Sequence, residues 1–248
     1  MARKSPPSRR RRSLIPRHSA TGPRRPASAT THGARVSASD FASAYIRKLI
    51  LAGDLLPGSR IPQDDIAHSL GVSRIPVREA LIGLEREGWV TIEMNRGATV
   101  CSLEAGTVRN GYELFGQLYG FAARKALARS RSDLTERLTG IAQQAQDTNQ
   151  PGDFCHLAHV FYTKVVEGAE SPRIGVLLRA MSGLLPDDFF SLMPAAIGAG
   201  QRGLLAIAAA MQAGDGEHAA AECTEMMTRI GEHFIDVLGR RGLLSEES

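Results

Sequence analysis

Residues 70–90 read LGVSRIPVREALIGLEREGWV, and this stretch decides the fold of the first half of the chain. Arg74 and Arg78 are four residues apart, and side chains at that spacing share one face of a helix. The apolar residues of the stretch fall on another face, which is suited to a hydrophobic core. These residues are Val77, Leu81 and Leu84. The pattern predicts a helix that presents a charged first turn to a partner.

Two shorter helices are predicted before this one. Ser39 and Asp40 are suited to cap a first helix over FASAYIRKLILAG, which Gly53 ends. The segment QDDIAHSLG predicts a second, short helix that stops at Gly71.

The quoted helix and the residues after it complete a familiar order of elements. Ser73 is expected to cap this helix, and Pro76 is tolerated because first-turn amides lack an intrahelical partner. Gly88 ends the helix, and WVTIEM and ATVCS predict two short strands turned by residues 95–97. The order predicts a winged helix-turn-helix over residues 39–102.

The rest of the chain has helical spacing and no strand pattern. Apolar residues recur every three or four positions in segments near 103–129, 131–148, 153–168, 172–184, 200–213 and 216–240. We therefore expect an all-helical bundle over residues 103–242, and a fold that is mainly α.

The positive net charge of +4 comes from the N-terminal segment. Residues 1–39 hold ten of the 30 Lys and Arg residues and no Asp or Glu, so the remainder carries 20 basic and 26 acidic residues. The segment is rich in Pro, Ser, Ala and Thr and lacks apolar periodicity, which predicts a disordered basic tail over residues 1–38. Such a tail either neutralises DNA phosphates or is a solvated arm.

Several protein classes are disfavoured by composition. The three cysteines, Cys101, Cys155 and Cys223, lie far apart and fit no metal spacing, which favours a reduced, cytoplasmic protein. No run of about 18 apolar residues predicts a membrane span. We find no nucleophile elbow, phosphate loop or setting for a Schiff-base lysine, so we expect no enzyme.

The predicted helix-turn-helix indicates double-stranded DNA as partner. The second helix of this motif lies in the major groove, and arginine is well suited to guanine O6 and N7. We expect Arg74 and Arg78 on base edges and Ser73 on a phosphate. Arg96, beside Gly97 at the hairpin tip, is expected to reach the DNA backbone or minor groove.

The stretch PGSRIPQDDIAHSLGVSRIPVREALIGLEREGWVTIEMNRGATV resembles the DNA-binding domain of GntR-type bacterial regulators, whose hallmark is LGVSR-x-PVREAL followed by RG-x-x-V. The resemblance implies that Arg74 and Arg78 contact operator DNA, that Ile75 faces the bases and that Gly97 lies close to the duplex. Asp64 is a departure, because the family often carries an arginine there.

The helical half resembles the FadR-like, or FCD, effector domain in FYTKVVEGAESPRI and AMQAGDGEHAAAECTEMM. Many members bind a metal through one Asp and three His. The matching positions here are Ala158, Tyr162, Leu204 and Met226. None is a strong ligand for a divalent ion, so we expect no metal cofactor.

The resemblance extends to YELFGQLYGFAARKALA, where the family's Arg and Glu fall on Phe115 and Tyr119. A pocket lined by Phe115, Tyr119, Tyr162, Leu204 and Met226 is suited to an apolar or acyl effector. The alternative is a filled cavity in a domain that only dimerises. A second metal site is conceivable at His156 and His159, near Asp153, but we favour a set of solvated histidines.

The sequence thus predicts a homodimeric bacterial transcriptional regulator of the cytoplasm and nucleoid that reads a pseudo-palindromic operator. Repression is the expected default because blocking a promoter needs only occupancy. A small-molecule effector in the helical domain is expected to change DNA affinity. The alternative is an effector-free architectural DNA-binding protein whose helical domain only dimerises.

Overall fold

The computed structural model describes residues 37–94, 96–129, 132–181 and 189–245. The predicted basic tail, apart from Ser37 and Ala38, lies outside these residues, and the predicted fold class is confirmed. The helices described are α1 (Ala38–Ala52), α2 (Gln63–Leu70), α3 (Arg74–Arg86), α4 (Ala105–Leu127), α5 (Ser132–Asp147), α6 (Pro151–Gly168), α7 (Pro172–Ala180), α8 (Phe189–Leu192), α9 (Ile197–Gln212) and α10 (Gly216–Arg240). The strands are β1 (Val90–Glu93) and β2 (Gly97–Val100).

Helix α1 is capped by Ser37, so the prediction of Ser39 and Asp40 as caps was wrong. The Ser37 hydroxyl accepts a hydrogen bond from the Asp40 N–H at 3.0 Å. The Asp40 carboxylate in turn accepts one from the Ser37 N–H at 3.1 Å, which completes a capping box. Three cap-forming residues lie within four positions here, and the backbone conformation decides which of them is the cap.

Helix α3 packs across α1 and α2 through the face that the sequence predicted. Val77, Leu81 and Leu84 are buried, together with Ile46 of α1 and Ile66 of α2. Because this face is covered, the orientation of α3 is set and its opposite face stays in solvent.

The wing is an antiparallel hairpin that runs from the Val90–Val100 pair to the Glu93–Gly97 pair. The chain before α2 pairs with its free edge. Gly58 N–H donates to the Val100 carbonyl and Ile61 N–H donates to the Ala98 carbonyl, each at 2.8 Å. These bonds fix the wing to the base of the helix-turn-helix.

The helical half is held together by close contact between α4 and α10, which also packs against α9. Glycines allow this approach. A Cβ atom at Gly116 of α4 would lie 2.6 Å from the Thr224 Cα of α10, and one at Gly231 of α10 would lie 2.9 Å from Tyr112. Helix α5 packs on α6 and α9 to complete the bundle.

The two halves meet at the end of the chain. The Trp89 and Phe234 rings lie 6.3 Å apart, which places the root of the wing against α10. The Leu103 N–H donates to the Leu243 carbonyl at 3.0 Å, and the Ser245 N–H donates to the Leu103 carbonyl at 2.9 Å. The residues after α10 therefore bond back to the segment that joins the halves.

Several helix ends differ from the prediction. Helix α6 begins at Pro151, two residues before the predicted segment 153–168, because proline is favoured at the first position of a helix. Helix α7 ends at Ala180, and α9 begins at Ile197. The short helix α8 was missed because four residues carry no readable period.

The contact between α4 and α10 generates a stability prediction. Gly116→Ala is expected to lower the free energy of unfolding by about 1–3 kcal/mol, because the new methyl group meets the α10 backbone. The control is Gly106→Ala on the same helix, where a Cβ meets nothing within 4 Å. Urea unfolding followed by circular dichroism measures both, and equal stability of the two variants would contradict the close approach.

Candidate nucleic-acid interface and ligand cavity

The first turn of α3 is open to solvent. The Arg74 side chain is 70% exposed, and Ile75 is 67% exposed although it is a large apolar residue. Arg78 is exposed one turn later. The structure therefore brings these three predicted residues to one accessible helix start, while the far side of α3 is buried.

Ser73 occupies the cap position of α3 with an extended backbone, as expected. Its hydroxyl makes no capping hydrogen bond within the part of the chain that the structure describes. The hydroxyl and the first-turn N–H groups can thus both serve an incoming anion, which suits the predicted phosphate contact.

The two arginines differ in their electrostatic surroundings. Arg74 Nε lies 2.5 Å from Asp64 Oδ1 of α2, in an ion pair whose carboxylate is 65% exposed. Arg78 makes no ion pair with any described residue. Asp64, the residue that departs from the family pattern, therefore forms an ion pair with Arg74, one of the two arginines predicted to contact bases.

The wing carries both predicted residues and one that sequence reasoning missed. Arg96 is 83% exposed and pairs with Glu93 at 3.2 Å. Gly97 has a φ of 93°, and a Cβ there would lie 3.1 Å from the Arg60 Nε. The Arg60 guanidinium thus packs on the wing glycine. Sequence could have indicated Arg60 only through its positive charge in the segment that precedes α2.

The helix-turn-helix half has no overall positive charge, so its positive charge is confined to particular exposed residues. Residues 40–104 contain seven basic and nine acidic residues. Arg47 is held by Glu87 at 3.1 Å in a largely covered pair, and the Glu85 carboxylate accepts a hydrogen bond from the Ile92 N–H at 2.7 Å. Arginines at the start of α3 and on the wing therefore supply the positive charge that a phosphate or base edge would meet.

A cavity of about 500 Å³ lies between α4, α6, α7, α8 and α10. Four predicted pocket residues line it, together with Ala158. These four are Phe115, Tyr119, Tyr162 and Met226. The cavity thus gathers residues that lie more than 100 positions apart in the chain.

Leu204 does not line the cavity, so this part of the prediction was wrong. Leu204 is fully buried within α9. A Cβ at the neighbouring Gly203 would lie 2.4 Å from the Met226 sulfur. The Met226 side chain therefore packs on α9 at Gly203, and Leu204 of the same helix lies in the core.

The inner wall is aromatic, with weakly polar anchors. The Tyr119 and Tyr162 rings lie 4.0 Å apart, and the Tyr162 hydroxyl donates to the Met226 sulfur at 3.2 Å. Burial raises the pKa of Tyr162 well above its usual value, and Cys223 and Tyr119 add to the rise. Because the phenol stays neutral, Tyr162 offers a hydroxyl and never a charge.

Polar side chains lie at the rim of the cavity. His159, Thr163, Glu167 and Arg179 line it alongside the apolar walls. Sequence reasoning missed these residues and also Phe189, Phe190, Met227 and Ile230 of the wall. The spacing of Met226, Met227 and Ile230 on α10 was a signal for a shared face, but periodicity does not separate a cavity wall from a packed core.

Potential metal ligands do not cluster in the described part of the helical half. His156 and His159 are exposed, and no three His, Cys, Asp or Glu side chains come together among the residues described. Asp187 and Asp188, which their sequence position after Pro186 predicts as a helix cap and not as a metal site, lie outside those residues. In the same part of the chain, no helix is both long and apolar enough to cross a bilayer.

Two family models match the chain. The model described as bacterial regulatory proteins, gntR family, matches residues 38–100, and the FCD domain model matches residues 111–229. The two matches fall on the helix-turn-helix with its wing and on the helical bundle.

Curated relatives carry regulator names. An uncharacterized HTH-type transcriptional regulator of Mycobacterium tuberculosis is 31% identical over 155 residues, which are 62% of this chain and 64% of that protein. The Nta operon transcriptional regulator of Aminobacter aminovorans is 30% identical over 51% of this chain and 61% of its own length. The chain thus matches less than two thirds of the length of these relatives. They are named as regulators and not as enzymes, in agreement with the expectation from sequence.

Solved structures share the fold. The Escherichia coli protein McbR/YncC has a TM-score of 0.57 at 19% identity, with 83% of this chain and 99% of that chain covered. The Listeria monocytogenes protein Lar has a TM-score of 0.51 at 18% identity over 82% and 99% of the two chains. With both family models matched in sequence order, the chain belongs to the GntR family of bacterial regulatory proteins and carries an FCD domain after its helix-turn-helix.

Proposed function

We propose that the protein is a homodimer that binds operator DNA in a sequence-specific manner and represses transcription. A small ligand that binds in the helical domain changes the protein's affinity for DNA. One observation carries the DNA-binding part. Arg74 and Arg78 project from the open start of a helix whose opposite face is buried. A helix presented in this way fits the major groove, where arginine forks onto guanine.

The neighbouring residues support the same docking. Ser73 and the first-turn N–H groups of α3 are suited to bind a phosphate, and exposed Ile75 is available for contact with a thymine methyl group. Arg96 and Gly97 place the wing tip against the adjacent backbone or minor groove. Arg60, packed on Gly97, adds a positive charge at the same place.

A second copy of the chain supplies the other half of a two-fold site. Exposed apolar side chains on α4 support dimerisation through the helical half. Leu114 is 49% exposed and Phe121 is 43% exposed, and both share a face with half-buried Leu118. A second copy would cover this stripe, and two helices α3 would then face successive turns of one duplex.

We infer repression and not activation, because a bound protein can block a promoter by occupying it. The transcriptional repressor RspR of Escherichia coli, 28% identical over 50% of this chain, is named for this activity. We infer the same sign of regulation here.

Arg74→Ala and Arg78→Ala should each weaken binding to the preferred duplex by about 1–3 kcal/mol and flatten base preference, because each removes a bidentate donor. Arg86→Ala, at the other end of α3, removes an equal charge and should change affinity much less. The preferred duplex is first selected from a randomised library, and fluorescence anisotropy then measures affinity.

Unchanged selectivity in both arginine variants would contradict the groove assignment. Binding of the wild-type chain to different duplexes also distinguishes a sequence-specific regulator from an architectural DNA-binding protein. An architectural protein would bind all duplexes with similar affinity, whereas a regulator discriminates among them at constant salt.

The cavity in the helical half is the proposed effector site. Its aromatic and methionine walls favour an apolar group, and the Tyr119 and Tyr162 hydroxyls offer neutral anchors. The cavity argues against a helical half that is packed solid and serves only to dimerise.

A continuous run of aromatic contacts joins this cavity to the DNA-binding half. Phe189 lines the cavity and lies 5.8 Å from Phe234, whose ring is 6.3 Å from Trp89. The Trp89 N–H donates to the Leu84 carbonyl at the end of α3, and the Trp89 carbonyl accepts from Cys101 after β2. A ligand that displaces Phe189 therefore acts on the packing beneath both DNA-contacting elements, provided that it favours one arrangement over the other.

A ligand screen tests the cavity. Thermal shift with fatty acids, acyl-CoAs and aromatic acids should raise the melting temperature for at least one of these classes, while sugar acids should have no effect. A ligand at 100 times its Kd stabilises by about 2.7 kcal/mol. Ala158→Phe places a ring in the cavity and should abolish the shift while DNA binding persists. Stabilisation by sugar acids alone would refute an apolar site, and no shift in any class would favour the dimerisation-only alternative.

Metal content is a separate prediction. The purified protein should contain no stoichiometric divalent metal, because the residues that the resemblance puts at the family's four ligand positions are not strong ligands for a divalent ion. These residues are Ala158, Tyr162, Leu204 and Met226. Elemental analysis by mass spectrometry checks this. One zinc, nickel or manganese ion per chain would overturn the assignment of these positions.

A further inference from the structure

We infer that Asp64 is a positioning residue for Arg74, which makes Arg74 selective for guanine and suppresses its use as a general phosphate clamp. The inference rests on the proposed DNA-binding function. It starts from the ion pair between the first turn of α2 and the first residue of α3, with Asp64 Oδ1 2.5 Å from Arg74 Nε.

This ion pair is too exposed to serve stability. Both side chains are more than 60% exposed, and ion pairs of that kind contribute little to folding. The buried faces of α2 and α3 already hold the two helices together through Ile66, Val77 and their neighbours. The pair is therefore placed where it affects what the arginine can bind.

The atoms involved decide how Arg74 can read DNA. A guanidinium has five N–H donors in a flat fork, and the carboxylate approaches at Nε. The two terminal nitrogens remain, and their parallel N–H groups match guanine O6 and N7. Holding the side chain at Nε also limits the rotamers of a long, flexible residue before DNA arrives, which reduces the entropy lost on binding.

The same carboxylate penalises the wrong contact. A phosphate oxygen approaching Arg74 meets the negative charge of Asp64, whereas a neutral guanine edge does not. Specificity is the difference between the affinity for the preferred duplex and the affinity for unrelated DNA, and this repulsion lowers the affinity for unrelated DNA. Arg78 makes no ion pair with any described residue and keeps its full attraction for phosphate.

The test uses the full-length chain and two duplexes. The first is the duplex that the wild-type chain selects from a randomised library. The second is identical except that 7-deazaguanine, which lacks the N7 acceptor, replaces the guanine contacted by Arg74. That guanine is identified as the position at which Arg74→Ala loses discrimination. The wild type should prefer the first duplex by on the order of tenfold.

Asp64→Asn should bind an unrelated duplex several-fold more tightly and should lose most of the preference for guanine over 7-deazaguanine. Asp65→Asn is the matched control. Asp65 lies in the same helical turn, so its loss has the same effect on charge and helix dipole, but it forms no ion pair with a described residue. The control should keep the guanine preference, and Asp64→Glu should restore part of it.

The double variant shows whether Asp64 acts through Arg74. In an Arg74→Ala background, Asp64→Asn should leave discrimination unchanged, because no side chain remains to be positioned. If Asp64→Asn instead tightens binding to all duplexes by the same factor and keeps the guanine preference, Asp64 is only a nearby negative charge and the inference fails. If the wild type itself shows no sequence preference, the proposed function fails. Melting temperatures equal to that of the wild type confirm that the variants are folded.

Discussion

The burial of one face of α3 is the constraint on which the rest of this protein depends. Val77, Leu81 and Leu84 fix the helix against α1 and α2, and the removal of their apolar surface from water holds that orientation. Because the helix cannot turn, the charged residues of its first turn must face outward. A hydrophobic contact inside the domain thus determines where two guanidinium groups stand in solvent.

The helical half depends on an analogous close contact. Gly116 and Gly231 let α4 and α10 approach until backbone and side chain touch, and this pairing carries the walls of the cavity. Phe115 and Tyr119 come from α4, and Met226 comes from α10. The same long helix reaches Trp89 through Phe234. One helix therefore contributes both to the cavity and to the contact with the helix-turn-helix half.

Among the residues described, the helix-turn-helix half has few basic side chains without an acidic partner. Acids outnumber bases there, and Glu87, Glu93 and Asp64 each pair with an arginine. Within residues 40–104, any attraction to phosphate therefore depends on the positions of a few exposed arginines and not on net charge. The pairing of Arg74 with Asp64 fits such a strategy, because it ties one cation to a defined orientation.

The sequence by itself determined the order of the strands and of every described helix except α8, the buried face of α3 and the family resemblance, because these depend on local period, turn residues and a contiguous motif. All five predicted pocket residues came from that resemblance, and four of them line the cavity. Only the tertiary structure decided that Ser37 caps α1, that Leu204 lies in the core and not in the cavity wall, that Arg60 packs on Gly97 and that Asp64 meets Arg74. Each of these facts depends on backbone conformation or on the distance between separate elements, and neither is encoded in the spacing of residues along one helix or strand.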